Sequence, residues 1–239
     1  MKKLFATFLL IFLTGCTPRS LGEVGPSPSP SPQLKTITVN NQTYSYAYVI
    51  IDNLSRLKLL PNHSQKLSSR ELIIRHHCQI LVNGNFYDKS NQPLGWLVSN
   101  NETISKSISS QLFNGYLSIS GSQAKISYSL PEHKVDFGLQ SGPLLIFDSK
   151  PLLLKINQDL PRRRIISAVT ENNQLVFIAI TSARLSDTPA LVNLIADKIN
   201  QPIQAAINLD GGSASAFITP EVALPESSSI GSFFCYTEL

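Results

Sequence analysis

The sequence predicts an α+β fold: a strand-rich mixed-sheet domain with few helices. Three observations carry this. Most apolar runs are short, rich in β-branched and aromatic residues, and bounded by Gly, Asn or Pro. Residues 35–51 alternate with a period of two, as in Thr36-Ile37-Thr38-Val39 and Tyr44-Ser45-Tyr46-Ala47-Tyr48-Val49. Only residues 187–200 show a full helical spacing. Hydrophobic residues make up 42% of the 239, enough for one globular core.

The N-terminus reads as an export leader. Lys2 and Lys3 precede an apolar run over 4–13 whose only polar member is Thr7. That run is too short to span a bilayer. Leu13-Thr14-Gly15-Cys16 follows and resembles the lipobox of bacterial lipoproteins. The resemblance implies that residues 1–15 are a removed signal peptide and that Cys16 carries a lipid. The protein would then be a lipid-anchored membrane protein of the cell envelope, facing the periplasm or the cell exterior. The plainer alternative is a cleavable leader with an incidental Cys. Residues 16–34 add Pro26, Pro28, Pro30 and Pro32 with serines between them. Such a run favours extended polyproline-like conformations and reads as a tether. Residues 35–239 form the domain.

Within the domain, further strands are predicted at 79–82, 112–119, 124–128, 144–147, 165–170, 175–180, 203–207 and 232–236. Residues 171–174, Glu-Asn-Asn-Gln, read as a hairpin turn. The helix at 187–200 is capped by Ser186 or Asp187 and has Pro189 in its first turn. Leu191, Leu194, Ile195 and Ile199 form its apolar face. A shorter helix is expected at 69–77, starting at Ser68 or Ser69. Cys78 and Cys235 remain after the leader. An exported protein permits a disulfide between them, and two separate buried thiols are the alternative. Losing Lys2 and Lys3 takes two from the formal charge of +4 and leaves +2. That is too weak to argue for nucleic acid, which export also disfavours.

Four segments carry candidate chemistry. In Ala206-Ile207-Asn208-Leu209-Asp210-Gly211-Gly212-Ser213, a strand delivers Asn208 and Asp210 to one face and then turns on two glycines. In Leu81-Val82-Asn83-Gly84-Asn85-Phe86-Tyr87-Asp88, another strand enters a polar turn. Gln140-Ser141-Gly142-Pro143 is the third segment. Arg162-Arg163-Arg164, just before a strand, is the fourth.

Taken along the chain, with 81–88 first and 206–213 last, the four segments resemble those of the phosphodiester glycosidase family, over roughly residues 35–238. Leu94-Gly95-Trp96-Leu97-Val98 resembles the stretch that follows the family's first motif. The match at 208–213 is intact, whereas Asn85 stands where the family usually has a second Gly and Tyr87 where Phe is common. Arg164 best matches the family's single Arg.

The resemblance implies hydrolysis of a sugar-1-phosphodiester, such as an N-acetylglucosamine-1-phosphodiester, in an envelope or extracellular glycoconjugate. Catalysis would fall to Asp210, with Asp88 as the second carboxylate. Arg164 would hold the phosphate, while Asn83, Asn208 and Gln140 would bond sugar hydroxyls or phosphate. Gly84, Gly142, Gly211, Gly212 and Ser213 would complete the substrate-binding surface.

This reading fixes no cofactor and leaves a divalent cation such as calcium or magnesium open. Asp210, Asn208 and Asp88 are oxygen donors of the type calcium or magnesium takes. Zinc is disfavoured because His76 and His77 are adjacent. Gly-Gly-Ser-Ala-Ser does not form a serine-hydrolase elbow. The alternative function is a non-catalytic envelope lipoprotein that binds phosphorylated polysaccharide. A structural lipoprotein that kept only the fold comes third.

Overall fold

A computed structural model describes residues 33–238; the leader, Cys16 and nearly all of the tether lie outside the described residues. In chain order the strands begin with β1 (Lys35–Val39), β2 (Gln42–Ile51), β3 (Leu57–Pro61), β4 (Ile80–Asn83), β5 (Leu97–Ser99) and β6 (Glu102–Ser105). Next come β7 (Gly115–Ser120), β8 (Gln123–Ser127), β9 (Phe137–Ser141), β10 (Leu144–Phe147), β11 (Lys150–Pro151) and β12 (Arg162–Thr170). The last are β13 (Leu175–Ala183), β14 (Ile203–Asn208), β15 (Phe217–Ile218), β16 (Ala223–Leu224) and β17 (Ser232–Tyr236). Helix α1 is Ser69–His76 and helix α2 is Thr188–Lys198. The domain is therefore α+β, strand-rich and poor in helix.

Three sheets form. A seven-stranded sheet runs β1-β2-β13-β12-β14-β10-β11, a five-stranded sheet β16-β15-β4-β17-β3, and a second five-stranded sheet β6-β5-β9-β7-β8. Each paired neighbour among the described strands is antiparallel. Strands β13 and β14 both pair with β12, so they run parallel to each other, and α2 makes the crossover between them.

Alternation along the large sheet explains its two cores. Ile165, Val169, Phe177 and Ile207 point toward the two smaller sheets, where they meet Val82, Leu97, Leu139 and Phe234. Ile166, Ala168, Ile178 and Ala206 point the other way, under α2. Both faces are covered, which is why the runs at 165–170 and 175–180 are apolar without interruption.

Local details refine the sequence reading. The long alternating stretch at 35–51 is a hairpin, because Asn40 and Asn41 take left-handed φ of 48° and 62° between Val39 and its partner Gln42. Helix α1 starts with a Ser68/Glu71 capping box, as its sequence suggests. Helix α2 differs from expectation. Asp187 occupies the cap position but makes no side-chain cap bond. Asp159 accepts hydrogen bonds from the amides of Leu185 and Ser186 just before it. The buried face of α2 uses Val192 and Ala196 alongside Leu191 and Ile195, while Leu194 is exposed. Cys78 and Cys235 form a disulfide with a Cα–Cα distance of 5.2 Å, tying the segment after α1 to β17.

Candidate active site

The site grows from the end of β14. Leu209 leaves the strand but donates its amide to Ile165 of β12, so the register continues one residue further. Asp210 then crosses to the neighbouring sheet. Its amide donates to the Gly84 carbonyl, and its own carbonyl accepts from Asn83 Nδ2 at 2.7 Å. Gly211 packs against the start of β12: a Cβ there would lie 2.8 Å from the Arg163 carbonyl oxygen. Gly212 turns the chain with φ 65°, a conformation that favours glycine. The first and last sequence motifs are thus joined through the backbone of Asp210.

Asp210 is partly exposed at the surface, but its carboxyl is largely enclosed by protein. Burial pushes it up to about 7, opposed in small part by the hydrogen bond from the Gly211 amide to Oδ1. Among the described residues the carboxyl has no ion-pair partner; the ion pair found there joins Arg164 to Asp159. An unpaired carboxyl that exchanges its proton near neutrality suits acid–base chemistry.

The other predicted residues sort by what their side chains touch. Asn83 donates to the Asp210 carbonyl and accepts from the Ala216 amide through Oδ1, with its side chain buried. Gln140 accepts from the Trp96 and Ile108 amides and donates to the Ile108 and Phe113 carbonyls. Gln140 uses its hydrogen-bonding capacity inside the fold, while Asn83 commits one of its two N–H groups to Asp210. Asn208 donates to the Gly142 and Leu209 carbonyls, and its buried Oδ1 has no partner among the described residues. Gly142 packs tightly, since a Cβ there would run into the Leu112 carbonyl. The Gly142 amide and the Ser141 hydroxyl both donate to the Asn208 carbonyl, locking the third motif onto β14. The exposed Ser213 hydroxyl lies 3.1 Å from that of Ser228.

Asp88 is exposed and caps its own turn, accepting from the Ser90 and Gln92 amides through Oδ1. Among the described residues no hydrogen bond or ion pair joins it to Asp210. Instead it lies within electrostatic reach of His63, whose imidazole burial lowers to about 4 while Asp88 opposes the shift. Among the described residues no group of three His, Cys, Asp or Glu side chains is placed to hold a metal.

Arg164 also differs from expectation. Its guanidinium donates to the Ala183 and Leu160 carbonyls and pairs with Asp159 at 3.2 Å. Arg163 donates to the carbonyls of Ser215 and Pro225. Arg162 is exposed, and its Cδ and Nη1 lie 3.6 and 3.7 Å from where a Cβ on Gly212 would stand. A run of three arginines does not by itself show which one faces the turn. Asn85 replaces the usual Gly without intruding. Its Oδ1 accepts from the Ser232 hydroxyl, and its Nδ2 donates to the Phe86 carbonyl. Neither Ser232 nor Asp159 carries a sequence signal for these roles.

A cleft of about 570 Å³ lies elsewhere, lined in part by Leu57, Leu59, Asn101, Asp136 and Phe137. It does not include the Asp210 turn. Chemistry, not volume, selects the site.

The phosphodiester glycosidase (NAGPA) family profile matches residues 76–232, well over half of the chain. The chain belongs to the phosphodiester glycosidase family. All four motifs fall within the matched span. Solved structures share the fold of this family member. The catalytic domain of zebrafish N-acetylglucosamine-1-phosphodiester alpha-N-acetylglucosaminidase, auto-inhibited by its pro-peptide, is 15% identical. That match covers 89% of this chain and 85% of that one, with a TM-score of 0.68. A hypothetical protein from Synechocystis is 14% identical over 84% of this chain and 61% of that one, TM-score 0.52. A Burkholderia pseudomallei protein is 9% identical over 82% and 74%, TM-score 0.54. No curated protein matches the chain.

Proposed function

We propose that the domain hydrolyses a sugar-1-phosphodiester, with Asp210 as the proton donor. One observation carries the reading: an unpaired carboxyl held near pH 7 sits on a turn locked between the family's first and last motifs. A protonated Asp210 adds no negative charge beside an anionic diester. It can hand its proton to the bridging oxygen as the sugar C–O bond breaks. Water then adds to the anomeric carbon and loses a proton to solvent. Free sugar and a phosphomonoester result. The substrate class rests on family membership, and an N-acetylglucosamine-1-phosphodiester is the first one to try.

The reading extends to location. The Cys16 lipobox and the Pro/Ser run support an envelope lipoprotein whose tether holds the domain off a membrane. A Cys78–Cys235 disulfide is in keeping with an oxidising compartment. The substrate would then be an envelope or extracellular glycoconjugate.

The test is to incubate the purified full-length chain with a panel of hexose and N-acetylhexosamine 1-phosphodiesters and assay free sugar. Release that disappears in Asp210→Asn supports the proposal; a folded protein that releases nothing overturns it. Asn85, standing where the family usually has Gly, favours a second reading, a non-catalytic binder of phosphorylated polysaccharide. That reading predicts saturable binding without turnover, unchanged in Asp210→Asn.

A further inference from the structure

We propose that Arg162, not Arg164, is the cation that holds the substrate's phosphate and so selects diesters over neutral glycosides. This inference rests on the hydrolase reading above. The three adjacent guanidinium groups have different surroundings. Arg164 is fixed by Asp159 and by the Ala183 and Leu160 carbonyls. Arg163 is fixed by the carbonyls of Ser215 and Pro225. Arg162 forms no side-chain hydrogen bond or ion pair among the described residues, and it is exposed.

The strand explains the placement. The β12–β13 register shifts between Arg162 and Arg164: Arg162 pairs with Ala183, and Arg164 with Ile180. The extra residue of that shift stands on β13. Burial, and then the neighbouring charge of Arg162, lower the Arg164 guanidinium from its ordinary value. Arg162 also lies against Gly212, within the turn that begins at Asp210. Gly212 has no side chain to separate them, and Gly211 sits directly on the Arg163 carbonyl. The result is a planar, permanently charged fork beside the Gly212 turn, two residues on from Asp210. The fork suits two oxygens of a phosphodiester.

The experiment compares Arg162→Ala and Arg162→Lys with the wild-type chain on two substrates of the same sugar: a methyl 1-phosphodiester and a neutral 4-nitrophenyl glycoside. Arg162→Ala should lower kcat/KM for the diester at least tenfold and leave that for the neutral glycoside within twofold. Arg162→Lys should recover part of the loss, and the melting temperature should not move. Arg164→Ala should lower the melting temperature without selecting between the substrates. An equal fall on both substrates, an unchanged diester rate, or a diester-selective loss in Arg164→Ala overturns the proposal.

If the wild type turns over neither substrate, the hydrolase reading fails by itself. Calorimetric titration with the methyl N-acetylglucosamine 1-phosphodiester then decides the role of Arg162. Binding weakened at least fivefold in Arg162→Ala sustains it. Unchanged binding, or no binding by the wild type, ends it.

Discussion

The proposed role of Asp210 ties activity to stability at a single carboxyl. Its folded-state value near 7 lies well above the ordinary 3.8. As a proton donor it must be protonated, so kcat/KM on a diester should fall as pH rises through about 7, measurable as a pH–rate profile. The same shift sets a stability trend with the opposite sense to that of an ion-paired carboxylate. Ionising Asp210 in the folded chain is unfavourable, so its destabilising effect is absent below about pH 4. It grows between about 4 and 7 and is constant above. At full ionisation it is on the order of 4 kcal/mol. Asp210→Asn should therefore be inactive yet melt higher than wild type at pH 8, with the difference gone at pH 4.

Asp159 behaves in the other sense. Burial pushes its carboxyl up, but hydrogen bonds from the Ser186 and Leu185 amides and the nearby Arg164 charge hold it below the usual range. Its contribution is complete above the ordinary carboxylate value and is lost as pH falls through the folded one. Arg164→Ala leaves this mostly buried carboxylate without its cation and should cost roughly 3–5 kcal/mol in urea unfolding at pH 7. The cost should shrink in acid. The residue types at this site were legible in the sequence, but their partners were not. Asn83, Gln140 and Arg164 have the same chemistry whether they face a sugar or the backbone of a distant segment.

At the scale of elements, the motifs work as locks between sheets. The third motif holds β9 and β10 to β14 through the Gly142, Ser141 and Asn208 bonds. Gly142→Ala would drive a methyl group into the Leu112 carbonyl. It should destabilise the fold by about 2 kcal/mol or more and reduce activity as well, checked by paired melting and rate measurements. Strands with strong alternation or continuous apolar runs were readable, including β2, β12, β13, β14 and β17. Strand β9 was missed, because Gly138 and Gln140 break its pattern. Their reasons lie in packing. Gly138 makes room for the Trp96 ring, and Gln140 bonds the segments around it. The apolar face of α2 was partly misread, since Leu194 fits the helical period as well as Val192 does. Only the sheet beneath α2 decides which of them is covered.

For the whole molecule, the Cys78–Cys235 bridge closes a loop of 157 residues that contains all four motifs. Chain-entropy reasoning gives a contribution on the order of 5 kcal/mol as an upper figure. Reduction with dithiothreitol, or paired Cys→Ser replacement, should lower the melting temperature markedly. It should lower activity only near the temperature at which the domain then unfolds.

The sequence by itself determined the strand-rich class, the order of the motifs, the family and Asp210 as a candidate. These depend on local periodicity and on residue identity at short spacing, both written along the chain. Only the tertiary structure decided the partners. It joined Cys78 to Cys235, turned Asn83 and Gln140 inward, gave Arg164 to Asp159 and brought Arg162 against Gly212. Each of these depends on residues far apart in the chain. Local patterns leave those alternatives equal in energy, and packing separates them.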